Sequence, residues 1–417
     1  MEFGTAYTVL FIFCGLIILS YLFSVLNRAT RIPSVLLLLG TGIGLRYLAG
    51  WASFPFELPP ALIEMLGTVG LIMIVLEAGL DLEVSREKIA LIRGSFFSAL
   101  VIFLVSTLGV AGILAWRLPE AAFINCLVYA IALSVVSSAI VLPSVHHLSH
   151  SKKEFLIYEA SFSDVLGIMV FNFFTVSQTI TGNDVIWFIA SIPVGIVLSV
   201  GVCFLLMTLL VRNRINIKFF LAFAVLVVIY VGGKMMHLPS LLTILLFGLV
   251  VNNWELLRWQ PLHRHFTIER VDNVRGLLKS ITAESAFLIR TFFFIIFGYG
   301  IDVHFVQDSE VLITGSVIVA ALLVFRFVYL RIVHRYDLFP ELFYIPRGLV
   351  TVLLFYKIPE WQRIDRFDEG VLFFVILATS LIMMVGSILY RDQPKELVEI
   401  EPDMQAGPAD TAGGAGS

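Results

Sequence analysis

Two carboxylates stand close together inside a long apolar segment, Tyr158–Phe174. They are Glu159 and Asp164, and Ser163 immediately precedes the second. An ionisable residue at mid-membrane depth costs about 2.5–3.5 kcal/mol on insertion scales and persists mainly where it has a partner or a task. Residues three to five positions apart on a helix share one broad face, so the three side chains are predicted to lie together. We therefore predict that Asp164 binds an ion or a proton.

The composition is that of a polytopic membrane protein embedded in a lipid bilayer. Hydrophobic residues make up 59% of the 417 residues and charged residues only 14%, which fits neither a soluble enzyme nor a disordered chain. No basic domain indicates nucleic acid as a partner. No zinc-protease, nucleotide-binding or serine-hydrolase motif is present, so the sequence predicts a protein that is not an enzyme and has no cofactor.

Thirteen apolar runs predict an all-α protein with about 13 transmembrane helices. They fall at residues 6–26, 33–50, 60–80, 89–116, 121–146, 152–180, 185–211, 217–236, 238–252, 280–303, 310–334, 341–358 and 369–390. The polar, Arg-rich segment between the ninth and tenth runs, Asn252–Lys279, is predicted to be an amphipathic interfacial helix. The membrane domain therefore covers residues 1–390, and the acidic tail, 391–417, is predicted to be cytoplasmic and disordered.

The distribution of positive charge predicts the orientation. With the N-terminus outside and the C-terminus inside, most of the 28 Lys and Arg residues fall in cytoplasmic loops and the tail, as the positive-inside rule requires. The opposite side then carries Arg46, Arg117, Lys234, Lys357, Arg363 and Arg366.

An odd number of helices also permits two inverted six-helix repeats, a common plan of transporters. The first repeat would be 1–180, the connecting helix 185–211 and the second repeat 217–390. The fifth and twelfth helices, which correspond in this scheme, both contain residues that weaken a helix: Ser134, Ser137, Ser138 and Pro143 in one, and Pro346, Arg347 and Gly348 in the other. We predict that these two helices are broken and cross, which frees backbone groups to face an ion.

Further charges lie within the predicted spans. Glu159 is predicted to form a buried pair with Arg290, and Arg347 to compensate carbonyl groups at a helix break. Glu77 is a second candidate for proton binding near the cytoplasmic end of the third helix. Three others are interpreted as structural ion pairs or as side chains that reach the interface: Glu64, Glu284 and Arg326.

Five motifs in this order resemble the monovalent cation:proton antiporter superfamily, the sodium/proton exchangers. The Glu-x-x-x-Ser-Asp of Glu159–Asp164 is similar to the family's Glu-x-x-x-Asn-Asp. The others are LEAGLDL (Leu76–Leu82), SSAIVLP (Ser137–Pro143), RTFFFIIFGYGID (Arg290–Asp302) and PRGLV (Pro346–Val350). The chain departs from the pattern at Ser163, where exchangers usually have Asn or a second Asp, and in lacking a Thr-Asp-Pro in the broken helix.

The resemblance implies that Asp164 is the exchange carboxylate and that Glu159 and Arg290 form a structural pair. It places Ser137 and Ser138 on the ligand side of the crossing, and the hydroxyl of Ser163 is a further candidate for the oxygen shell of the cation. It also implies a homodimer.

The expected function is exchange of Na⁺, K⁺ or Li⁺ for protons, electroneutral if Asp164 alone titrates, in a bacterial inner membrane. A cation channel or uniporter remains an alternative, as does a membrane sensor or scaffold that transports nothing. An intramembrane hydrolase is not favoured, because the sequence lacks the catalytic pair that such an enzyme needs.

Overall fold

The computed structural model describes residues 5–30, 32–51, 60–176, 181–212, 218–235, 240–254, 268–301, 303–333, 338–367 and 369–390. Within these ranges the chain is helical and contains no β-strand, which confirms the predicted all-α class. A bilayer core offers no water to backbone amides and carbonyls, so a spanning segment must satisfy these groups itself. Long apolar helices meet that requirement.

The helices are numbered here in chain order. They are α1 (Thr5–Thr30), α2 (Ser34–Trp51), α3 (Pro60–Asp81), α4 (Ile89–Arg117), α5 (Phe123–Ser134), α6 (Ser138–Ser144), α7 (His150–Val176), α8 (Gly182–Arg212), α9 (Lys218–Met235), α10 (Ser240–Asn252), α11 (Ile268–Gly300), α12 (Ser309–Val333), α13 (Leu349–Tyr356) and α14 (Glu369–Leu389). Short 3-10 helices cover Val303–Gln307, Glu341–Phe343 and Glu360–Gln362. Each of the thirteen predicted runs overlaps at least one of these α-helices.

Several helices have the length and composition of membrane spans. In the described ranges, 7 helical segments meet both criteria: Ser34–Trp51, Ile89–Arg117, Phe123–Ser144, Gly182–Val202, Asp272–Gly300, Ser309–Val333 and Glu369–Leu389. Large apolar side chains point outward, among them Phe11, Trp51 and Val197, which are 80%, 88% and 72% exposed. Surfaces of this kind face lipid, so the chain is an integral membrane protein. The count of thirteen crossings and their orientation stay predictions.

The helices pack as two groups. In the first group α2 and α3 pack against α11, and α3 also packs against α10. In the second group α4 packs against α5, α7 and α12, and α12 packs against α14. The two groups meet where α3 contacts α7 and α13, and the site described below lies at this boundary.

Glycines bring the helices of the first group into backbone contact. A Cβ atom at Gly42 of α2 would collide with the carbonyl of Ile295 on α11, and one at Gly298 of α11 would collide with the carbonyl of Leu39. Such contacts between small residues replace the missing hydrophobic driving force between helices in lipid. The same arrangement joins α3 to α10, where Gly79 lies against Gly248.

Both predicted helix interruptions are present. α5 ends at Ser134 and α6 begins at Ser138, and between them Val135 has the extended backbone angles φ −68° and ψ 127°. In the twelfth run, residues 344–348 are not helical and α13 begins only at Leu349. The two interruptions touch, because the amide of Ser137 donates to the carbonyl of Pro346 at 2.9 Å.

The segment before the tenth run differs from the prediction. α11 begins at Ile268, well before the predicted start at residue 280, so Ile268–Lys279 is the first part of α11 and not a separate interfacial helix. Extending an existing helix adds one hydrogen bond per residue without the cost of a new nucleus, which accounts for the continuation through polar residues. The rest of the predicted interfacial helix, 255–267, and the predicted disordered tail, 391–417, lie outside the described residues.

Candidate ion-binding site

Asp164 lies on α7 beside the first helix break. Its side chain is 2% exposed. The Oδ2 atom accepts two hydrogen bonds from Ser138, one from the backbone amide at 3.1 Å and one from Oγ at 2.5 Å. The Oδ1 atom is buried and has no hydrogen-bond partner among the described residues. One oxygen of the carboxylate is therefore anchored, and the other is available to a cation or a proton.

Three consecutive backbone amides of the first break have acceptors outside their own helix. The amide of Val136 donates to Ser163 Oγ at 2.9 Å, and that of Ser138 donates to Asp164. The amide between them, that of Ser137, donates to Pro346 in the second break. An unpaired buried amide is rare and costly, so these acceptors allow the helix to remain interrupted inside the membrane.

Arg347 compensates the carbonyl groups of the crossing. The side chain is 1% exposed, and its Nε donates to the carbonyl of Leu133 at 2.7 Å. Its Nη1 donates to the carbonyl of Ile345 at 2.8 Å. Leu133 belongs to the last turn of α5, whose carbonyls have no partner within that helix. The position agrees with the role expected of Arg347 from the sequence.

The hydroxyl of Ser137 faces the second break. The residue is fully buried, and its Oγ has no hydrogen-bond partner in the described part of the chain. A Cβ atom at Gly348 would lie 2.8 Å from this oxygen and 2.6 Å from Cδ1 of Ile140, so a larger residue there would displace these side chains from the place where the two breaks meet. The hydroxyls of Ser134 and Thr351 are also buried and unpartnered within the described ranges. These neutral oxygens are candidate ligands for a hard cation.

A narrow cleft, too tight to admit a water molecule in this conformation, lies beside Asp164 at the boundary between the two helix groups. One wall comes from α3 and α10, and the other comes from α6 and α7. The lining residues are Val75, Ala78, Ser138, Ser161, Asp164, Val165 and Leu245. Of the predicted ion-binding residues, Asp164 and Ser138 line this cleft, whereas Ser137 and Ser163 are directed at the breaks.

Glu77 and Arg290 form an ion pair between α3 and α11. The Nη2 atom of Arg290 lies 3.1 Å from Glu77 Oε1. Glu77 is 8% exposed, and its Oε2 has no hydrogen-bond partner among the described residues. Glu77 precedes Ala78, which lines the cleft beside Asp164, so the pair lies near the candidate site.

The predicted pairing of Glu159 with Arg290 is wrong. Glu159 is bound instead by Arg326 of α12, with Arg326 Nη2 at 2.7 Å from Oε2 and Nη1 at 3.2 Å from Oε1. α7 and α12 belong to the same helix group, whereas α11 belongs to the other group. The packing of the helices thus decides which arginine reaches Glu159.

The sequence did not identify either partner of Glu159, Ser98 or Arg326. Ser98 of α4 donates to Glu159 Oε1 at 2.6 Å, and Arg326 is fully buried and also donates to the carbonyl of Glu341 at 2.7 Å. The helical spacing of Ser95, Ser98 and Ser106 indicates a polar face on α4, but it does not indicate which residue that face contacts. The prediction that Arg326 is structural is consistent with its ion pair.

A buried carboxylate beside two interrupted helices that touch, within a bundle of apolar helices, is typical of secondary ion transporters. The family model described as "Sodium/hydrogen exchanger, transmembrane" matches residues 3–389. The chain belongs to this family of cation/proton antiporters, which are transporters and not enzymes.

Solved structures with the same fold include two of the sodium proton antiporter MjNhaP1 from Methanocaldococcus jannaschii. One, at pH 8, has a TM-score of 0.65 and 17% identity, and the match covers 92% of this chain and 98% of the other. The second, from an electron-microscopy map, has a TM-score of 0.66 and 16% identity over 93% and 96% of the two chains. At this identity the likeness shows the fold alone. A search of curated protein sequences found no match.

Proposed function

We propose that the protein exchanges a monovalent cation for a proton by competition of the two for Asp164. Na⁺ is the first candidate for the cation, and K⁺ and Li⁺ are alternatives. The observation that carries the proposal is the asymmetric environment of the carboxylate. Its Oδ2 is held by Ser138, while its buried Oδ1 has no partner among the described residues.

A carboxylate that binds either a cation or a proton, but never both, couples the two movements. The anchored Oδ2 fixes the orientation of the group, so that a cation and a proton meet the same oxygen. The hydroxyls of Ser137 and Ser138 are the proposed neutral oxygens of the site, and a hard monovalent cation accepts such ligands. The exchange as proposed needs no cofactor beyond the transported ions.

The position of the cleft supports alternating access. Asp164 lies on one helix group, and the opposing wall belongs to the other group. A displacement of one group relative to the other would carry Asp164 from one side of the membrane to the other, as inverted-repeat transporters do.

The glycine contacts support two inverted repeats. If helices one to six and eight to thirteen are copies, α2 corresponds to α10 and α3 corresponds to α11. Gly42 and Gly248 hold the same place in α2 and α10, at eight residues beyond the first residue of each helix. Gly79 and Gly298 each lie two residues before the end of α3 and α11.

The backbone atoms that these glycines approach correspond as well. Gly298 lies against the carbonyl of Leu39, and Gly79 lies against the carbonyl of Leu245; each carbonyl is three residues before the partner glycine. Gly42 meets the carbonyl of Ile295 and Gly248 that of Leu76, again three residues before the partner glycine. Two helix pairs with identical contacts are what a duplicated unit would produce.

We propose an electroneutral exchange of one cation for one proton. Glu159 is neutralised by Arg326, and Glu77 is paired with Arg290. Asp164 differs from both because its hydrogen bonds come from the neutral Ser138. We further propose that the protein works as a homodimer in a bacterial inner membrane, with its N-terminus outside.

The test is transport by purified protein in liposomes that contain a pH-sensitive dye. Addition of Na⁺, K⁺ or Li⁺ outside should move cations inward and protons outward, so the lumen becomes alkaline. The variant Asp164→Asn removes the exchangeable charge and should lose this response by at least about a hundredfold while remaining folded, since the loss of a single essential group removes several kcal/mol. Asp365→Asn, the same change at an exposed position, is the control and should keep full activity.

Other outcomes select other functions. Full activity in Asp164→Asn contradicts the proposed role of Asp164. Cation flux without proton movement indicates a channel or uniporter. Folded wild-type protein that moves neither ion indicates a sensor or scaffold.

A further inference from the structure

Ser163 contacts the broken helix and not the cleft. Its Oγ accepts the amide of Val136 at 2.9 Å, and the residue is 2% exposed. The residues that line the cleft include its neighbour Asp164 but not Ser163. We propose that Ser163 is a positioning residue, whose hydroxyl holds the first helix break in register with α7 so that Ser138 reaches Asp164. This inference rests on the proposed role of Asp164.

The hydrogen bonds of the break support this assignment. Ser163 and Asp164 are consecutive on α7, and they accept the amides of Val136 and Ser138, which are two residues apart on the break. An extended segment exposes alternate amides on one side, so two adjacent side chains of α7 bind the same side of the break. The amide of Ser137 points away and donates to Pro346.

One turn further along α7, Gly167 makes a third contact between α7 and the break. A Cβ atom there would collide with the side chain of Val135. Gly167, Ser163 and Asp164 therefore contact Val135, Val136 and Ser138, respectively, and together these contacts align the break with α7. Of the three, the bond to Ser163 can be deleted without altering either the backbone or the exchange carboxylate.

A positioning role requires a hydroxyl at position 163 to accept the amide of Val136, but it does not require a negative charge there. The oxygen acts as a neutral acceptor for a backbone amide, which serine and threonine supply equally. A ligand of the transported cation would instead affect cations of different radius to different degrees, because contact distance sets the interaction energy.

The matched variants are Ser163→Thr and Ser163→Val, which have nearly the same shape but differ in the hydroxyl. Amide hydrogen exchange of the purified protein, read by mass spectrometry on peptides that contain Val136, reports the break directly. We expect exchange there to become about tenfold faster in Ser163→Val and to stay near wild type in Ser163→Thr, as the loss of one buried hydrogen bond predicts. Thr175→Val removes a hydroxyl that bonds within α7 itself and should leave these peptides unchanged.

Transport by the same variants gives the second readout. Ser163→Val should lower the maximal rate for Na⁺, K⁺ and Li⁺ by the same factor and leave their order of preference unchanged, and Ser163→Thr should restore the rate. Equal hydrogen exchange in the threonine and valine variants overturns the positioning role. A changed order of preference among the cations overturns it as well, and indicates an ion ligand.

Two arrangements keep the test decisive. If the added methyl group prevents folding of both variants, Ser163→Ala is compared with wild type by the same amide measurement, and unchanged exchange at Val136 contradicts the inference. If wild-type protein transports no ions, the proposed function fails, whereas the amide measurement still decides whether Ser163 holds the break.

Discussion

At the residue scale, the pair of Glu159 and Arg326 is the most buried charge contact of the described structure. Arg326 is fully buried and Glu159 is 2% exposed. Ser98 donates a further hydrogen bond to Glu159, and Arg326 donates one to the carbonyl of Glu341. A buried pair gains little over an apolar replacement, but removal of one partner leaves an uncompensated charge. The pair therefore joins α4, α7 and α12, and replacing either charged residue alone is expected to destabilise the protein.

We predict that Arg326→Met destabilises the protein by about 3–5 kcal/mol. The double variant Glu159→Leu/Arg326→Met should recover much of this loss, because it leaves no lone charge. Thermal unfolding in detergent measures both effects. Arg366→Met is the control, since its pair with Glu120 is exposed (72% and 73%) and such pairs contribute about 0–1 kcal/mol. A double variant no more stable than Arg326→Met would contradict this account.

The sequence was sufficient to single out Asp164 as a candidate site residue and insufficient to predict the ion pairs. An aspartate in an apolar run stands out whatever the packing, because its burial needs a reason. The choice of Arg326 over Arg290 for Glu159 depends on which helices are neighbours, and local sequence carries no information on that. The roles of Ser163 and Ser98 were hidden for the same reason, since a serine is common in helices of every kind.

At the element scale, close approach of helices depends on particular glycines and not on glycine content. In α2, Gly42 lies against the backbone of α11, whereas a Cβ atom at Gly40 or Gly44 would meet nothing within 4 Å. The three glycines are equivalent in sequence pattern but not in contact. Only the structure separates the one that sets the helix distance from the two that do not.

We predict that Gly42→Ala lowers the unfolding temperature, because its methyl group must displace the backbone of α11. The corresponding change in α10, Gly248→Ala, should act in the same direction because its methyl group meets the backbone of α3. Gly40→Ala is the control and should be neutral or stabilising by up to about 1 kcal/mol, the difference in helix propensity. Thermal unfolding in one detergent compares the three. Equal stability of Gly40→Ala and Gly42→Ala would show that α2 and α11 can move apart without cost.

The helix breaks were predictable because their causes are local. Proline removes a hydrogen bond, and serine clusters compete for backbone groups, so the positions of both interruptions could be read from the chain. What the breaks bind could not be predicted. The acceptors for Val136, Ser137 and Ser138 come from residues 26–209 positions away, and their identity follows from the crossing itself.

At the scale of the whole molecule, the distribution of charge determines whether transport responds to voltage. If Asp164 is the one group that gains and loses charge during the cycle, the exchange moves no net charge. Two other buried carboxylates near the crossing, Glu77 and Glu159, each have an arginine partner that opposes their charge.

We predict that clamping the membrane potential leaves the exchange rate unchanged. The measurement is the dye signal in liposomes with and without an imposed potential, with the cation gradient held constant. A rate that follows the potential would contradict one-for-one exchange and implicate a second titrating group. Glu77 is then the first residue to substitute, because its Oε2 is buried without a partner in the described ranges.

Arg347 has a consequence for the tightness of coupling. Its guanidinium donates to the carbonyls of Leu133 and Ile345, so its hydrogen bonds there leave its positive charge unneutralised. With Asp164 ionised, the crossing carries charges of both signs; with Asp164 protonated, the arginine charge is unopposed. A cation that enters without first displacing the proton meets repulsion, which is strong in a medium of low dielectric constant. With Asp164 as the proposed exchange site, the side chain that stabilises the broken helices would also resist leakage of cations down their gradient.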